Sequence, residues 1–241
     1  MIRWSKKTDF LSVRFPLAAF FVFLCAVQLM PKIFITGSTM DPSHPPVATN
    51  DIYFWMQLVA FPVIVLIVSY YFEETFRKAS AHYIRTFNIG TLKVIFFRYL
   101  RLLAVLELVY LPFVYICILR ANNNILYNME FFNMTFDLID PAKPMLQCAV
   151  FMVFSLTAGL FFMTALKNKV FALVVAMAVS VMEIRVFPIV LGEYTIFRGA
   201  GQLYAPDYFS LFPPNTVIML ILSAVMLAAS LVLYSMKRYR C

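Results

Sequence analysis

The sequence predicts an all-α integral membrane protein of six transmembrane helices, forming a single transmembrane domain over residues 1–241. Three observations predict it. The chain is 63% hydrophobic and only 13% charged, with a mean hydropathy of +0.83, against about a quarter charged residues in soluble domains. A soluble fold of this length could not hide so much apolar surface, so lipid is the solvent the composition requires. The apolar segments are long and continuous, unlike the roughly ten-residue alternating runs of a β-barrel. Lysine and arginine, finally, are distributed unevenly between alternate connections, as membrane topology demands.

Each predicted span is near the roughly 20 residues needed to cross a bilayer. The first runs from about Phe15 to Met30; no small-residue cleavage site follows it, so it reads as a retained helix. The second is the clean run Ile52 to Phe72. The third covers about Leu102 to Leu119 and contains Glu107 and Pro112. The fourth is Met145 to Leu166, the fifth runs from after Lys169 to about Ile184, and the sixth occupies about Asn215 to Met236. With the N-terminus inside, fifteen of the 20 Lys and Arg residues fall on the cytoplasmic side and five outside. This bias predicts an N-in, C-in arrangement. It also accounts for the net charge of +8 without nucleic acid as a partner.

The connections differ in character. Residues 36–51 form a Pro-rich polar loop, and residues 120–144 an external connection with three consecutive asparagines and a turn at Asp140-Pro141. Residues 185–213 alternate apolar pieces with Gly199, Gly201, Pro206, Pro213 and Pro214. This segment is too broken to span and too apolar for an ordinary loop, which predicts a re-entrant extracellular hairpin sheltered by the protein. The sequon Asn133-Met134-Thr135 reads as a chance match in a bacterial cell-membrane protein.

The second and third spans are joined by a basic amphipathic segment, residues 75–91. Phe76, Ala79, Tyr83 and Phe87 follow one another at steps of three, four and four, marking one helix face. Arg77, Lys78, His82 and Arg85 occupy the others. Gly90 ends the pattern and Thr91 is placed to cap the next helix. A plain basic loop lying on anionic lipid is the simpler alternative.

Familiar catalytic motifs are missing. No glycine precedes Lys at P-loop spacing, and neither HExxH nor GxSxG occurs, so the chain is not expected to be an enzyme or to carry a cofactor or metal of its own. The four cysteines lack CxxC spacing and read as core or lipid-facing residues. Two acidic residues carry competing readings. Glu107 is either a substrate or gating residue of the pathway, or a near-interface carboxylate paired with Arg101 or Arg98 or solvated from the cytoplasmic side. Glu183, beside Arg185, is either a pathway residue or a marker of the membrane boundary.

Glu73-Glu74, then Arg85-Thr86-Phe87-Asn88-Ile89 and Lys93-Val94-Ile95-Phe96, resemble the coupling region of ABC-2 type permeases, the transmembrane subunits of ATP-binding-cassette exporters. Asn88 stands where that family commonly has proline. Residues 185–213 resemble the family's broken extracellular helices. Residues 1–14, with Trp4 and Leu11 leading to Phe15, resemble its amphipathic interface helix. The resemblance implies a coupling helix built on Glu73, Glu74, Phe76, Arg77, Lys78, His82, Tyr83, Arg85 and Phe87. It implies a partner ATPase dimer that binds ATP and magnesium, a second permease copy, identical or related, and export of a hydrophobic or amphipathic substrate such as an antimicrobial peptide or toxin. The contrasting expectation is a non-transporting immunity, sensor or assembly protein whose basic loop recruits a cytosolic partner.

Overall fold

The computed structural model describes residues 14, 17–18, 20–22, 24, 48–76, 91–132, 138, 140–191, 196 and 214–237. Among these every element is helical: α1 (Ala48–Phe76), α2 (Thr91–Phe132), α3 (Ala142–Leu166), α4 (Lys169–Arg185), the single turn α5 (Phe187–Val190) and α6 (Pro214–Lys237). Among the described residues two stretches are long and apolar enough to cross a membrane, Pro144–Leu166 of α3 and Pro214–Tyr234 of α6; Leu58–Glu73 of α1 is apolar but shorter.

Pairwise contacts fix the relative directions of the first four helices. Phe61 stacks on Phe154 at 5.9 Å, and a Cβ on Gly159 would lie 3.0 Å from Val68 and 3.2 Å from Val65, so α1 and α3 run parallel. The missing side chain at Gly159 lets the two backbones approach closely, as small residues do between membrane helices. Tyr99 meets Thr157 and Tyr110 meets Phe151, so α2 runs against α3. Glu73 meets Lys169 and Ser180 donates to the Leu58 carbonyl, so α4 runs against α1. α3 is the hub: it packs against α1, α2, α4 and, most extensively, α6.

Local chemistry explains the joints. α3 ends at Lys167 with φ 55°, its N–H bonded to the Met163 carbonyl, and Asn168 caps α4 by accepting from the Val170 N–H at 2.8 Å. Two residues thus close a tight helical hairpin. Asp140 accepts from the Ala142 N–H at 3.0 Å and starts α3, where the sequence placed a turn. Val186 interrupts the helix after Arg185, and Pro188 lies at the start of α5; of the 185–213 break, residues 185–191 and 196 are described.

Three boundaries differ from expectation. α2 continues to Phe132, so residues 120–132 are helical where an external loop was expected. The apolar residues after the asparagine run, and the absence of Gly and Pro from 113 to 132, let the helix propagate. α1 runs to Phe76, so the first two residues of the predicted 75–91 segment belong to it. Thr91 is the first helical residue of α2 and not its flanking cap.

Candidate functional site

The directions above bring four helix ends together: the C-termini of α1 and α3 and the N-termini of α2 and α4. A polar and aromatic collar forms there. Lys169 Nζ lies 3.2 Å from Glu73 Oε2, both side chains about a third exposed, and 4.4 Å from the centre of the Tyr70 ring. Arg98 Nη2 donates to the Tyr71 carbonyl at 3.2 Å, while its guanidinium sits 5.0 Å from the Tyr71 ring and 6.0 Å from Phe72. Glu73 and Glu74 stand at the negative end of the α1 dipole, an unfavourable place for acids. Arg98 and Lys169, delivered by neighbouring helices, offset that charge. The exposed ion pair contributes at most about 1 kcal/mol; the collar's value is positional.

Deeper in, Thr157 Oγ1 donates to the Val153 carbonyl at 2.7 Å. Its proton is therefore spent, and the buried Tyr99 hydroxyl is the donor in the 2.8 Å bond between them. This bond locks the start of α2 to the hub. The end of α1 and the start of α2 are thus held, α1 by Glu73 to α4 and α2 by Arg98 to α1 and by Tyr99 to the hub.

Of the predicted coupling residues, the structure places Glu73 in the collar. Glu74 and Phe76 lie in the last turns of α1, with side chains outside the described set. Arg77, Lys78, His82, Tyr83, Arg85 and Phe87 lie outside the described residues, as do Trp4, Leu11 and Phe15 of the predicted interface helix. Arg98, Lys169 and Thr157 were not singled out as site residues in the sequence. The one available signal was Tyr70-Tyr71 beside Glu73-Glu74, an aromatic and acidic cluster that invites cations.

The two pathway candidates fare differently. Glu107 lies between Tyr99 and Tyr110, whose contacts with Thr157 and Phe151 place it alongside the middle of α3. It pairs with neither Arg98 nor Arg101, and its Oε2 is buried with no hydrogen-bond partner. The expected pairing with Arg98 or Arg101 is not made, and Glu107 lies sixteen residues after Thr91, the first residue of α2. Glu183 is buried, 1% exposed, and accepts from the Ile196 N–H at 3.2 Å. Rather than only marking a boundary, it ties α4 to the 185–213 segment. Among the described residues no three His, Cys, Asp or Glu side chains gather as a metal would require.

Comparison with known proteins returns no match. No family model, no curated protein and no solved structure matches this chain. The functional reading therefore rests on the residues and their geometry.

Proposed function

We propose that this chain is the permease subunit of an ATP-binding-cassette exporter of the ABC-2 type in a bacterial cell membrane. It spans the bilayer six times with both termini inside and exports a hydrophobic or amphipathic substrate, an amphipathic peptide foremost. The collar is the observation that carries the reading. A basic amphipathic segment hung between two helices that are locked to each other and to the hub transmits a push instead of absorbing it. Tyr83 and Phe87 anchor that segment on a partner ATPase, and Arg77, Lys78 and Arg85 meet its acidic groups. The ATPase supplies ATP hydrolysis, which the motifs of this chain do not provide for.

Outward faces support the membrane half of the proposal. Val174, Met177, Ile221 and Val225 are exposed large apolar residues on two different helices, an arrangement that water penalises and acyl chains accept. Glu107 belongs to the pathway between two permease copies, since a carboxyl in a span is retained for function.

Affinity purification of the intact protein from its native membranes tests the proposal. An ATPase with a Walker motif is expected to copurify with wild type and to be lost with Tyr83→Ala combined with Arg85→Glu. Recovery of no ATPase, with a non-ATPase cytosolic protein held by the same segment, favours the recruitment reading and overturns the permease.

A further inference from the structure

The outward faces of three helices differ in one respect. On α4 (Val174, Met177, Val181) and on α6 (Ile221, Val225, Val232) the described outward side chains include no ionisable group. On α2 an exposed Arg101 stands between Phe97, 68% exposed, and Leu108, 75% exposed, with Glu107 on the flank. Neither charge has an ion-pair partner among the described residues. Six positions apart, they cannot reach each other within one helix, where only residues three or four apart are neighbours. Both lie between the levels of the Tyr99–Thr157 and Tyr110–Phe151 contacts, beside the middle of a helix long enough to cross a membrane.

We infer that α2 is the face on which a second copy of this chain docks, with Arg101 of each copy meeting Glu107 of the other. The inference rests on reading α2 as a membrane span of a dimeric permease, and it goes further by naming the face and the pair. Charges in the middle of a span face protein or a water-filled cavity, not lipid, so this face needs a protein cover that the uncharged faces of α4 and α6 do not. Under a twofold axis a contact between residue i and residue j is made twice, so one operation satisfies both arginines and both glutamates. Between parallel copies of α2 the two residues differ by about 9 Å along the axis, a gap that an extended arginine and glutamate bridge together. One oxygen of Glu107 is buried; the other remains to receive the guanidinium. Ala104, exposed and midway between the two charges, is small enough to let the helices approach.

The test is charge reversal and exchange on the full chain in lipid nanodiscs, with the dimer fraction read by single-molecule photobleaching. Arg101→Glu and Glu107→Arg are each expected to weaken dimerisation about tenfold or more, and the double exchange to bring it back to within about threefold of wild type. Circular dichroism checks that each variant is folded. Should the single variants fail to fold, oxidative cross-linking in a background with the native cysteines replaced by serine decides. Ala104→Cys is expected to yield a covalent dimer, and Val225→Cys on α6 is not. Single variants that dimerise like wild type, folded singles not rescued by the exchange, or cross-linking through Val225→Cys alone would overturn the inference.

Discussion

Among the described residues α3 and α6 are the two helices apolar and long enough to cross a membrane, yet they live in different surroundings. In α3, 67% of the apolar window is buried inside the protein; in α6 the figure is 22%. Apolarity therefore does not say whether a helix faces protein or lipid. Small and hydroxylated side chains do. α3 carries Gly159, Ser155, Thr157 and Thr164 where its neighbours press, all of them buried or closely approached. α6 confines its buried hydroxyls to one stripe, Thr216, Ser223 and Ser230, and turns aliphatic residues outward. Ser223 and Ser230 bond back to the Met219 and Met226 carbonyls at 2.6 and 2.7 Å, a way of hiding a hydroxyl that needs no partner helix.

The largest expected contrast comes from truncating one large side chain on each helix. Phe151→Ala on α3 removes a fully buried ring packed against Tyr110 and is expected to lower stability by about 3–5 kcal/mol. Ile221→Ala on α6 is expected to change it by about 0.5 kcal/mol or less. Unfolding of both variants in detergent micelles gives the comparison, and equal losses would break it.

Next comes overpacking. Gly159→Leu drives a side chain into Val65 and Val68 and is expected to cost about 1–3 kcal/mol, whereas Ala224→Leu on the outward face of α6 is expected to be neutral in a thermal melt. The smallest effect sharpens the link between hub and collar. Thr157→Val removes the acceptor of the Tyr99 hydroxyl and is expected to cost about 1 kcal/mol, with faster hydrogen exchange at the start of α2 than at its far end.

Much of this architecture was legible in the sequence, for identifiable reasons. The helical class and the cores of α1, α3, α4 and α6 follow from continuous apolar runs, and the α3–α4 joint from Lys167-Asn168 between two such runs. The extension of α2 to Phe132 was not legible, because a run of asparagines signals a turn only when no apolar face continues past it, and here Leu126 and the residues beyond carry the helix on. The position of Glu107 against α3 was hidden for a related reason. A boundary drawn at the last arginine treats Arg98 and Arg101 as one end of an element, but Arg98 turns inward to the Tyr71 carbonyl and Arg101 lies beside the middle of α3. The collar could not be read from sequence at all, since Glu73 and Lys169 are 96 residues apart and meet only because α1 and α4 run in opposite directions.

The central claim is that a partner ATPase drives this chain through the segment held by the collar. Its most direct test is ATP hydrolysis in liposomes containing the chain and the ATPase that copurifies with it, measured with and without amphipathic peptides. Stimulation by peptide in wild type, absent with Tyr83→Ala and Arg85→Glu together, is the predicted result. Hydrolysis that no amphipathic peptide alters, or that responds equally in the double variant, would contradict it.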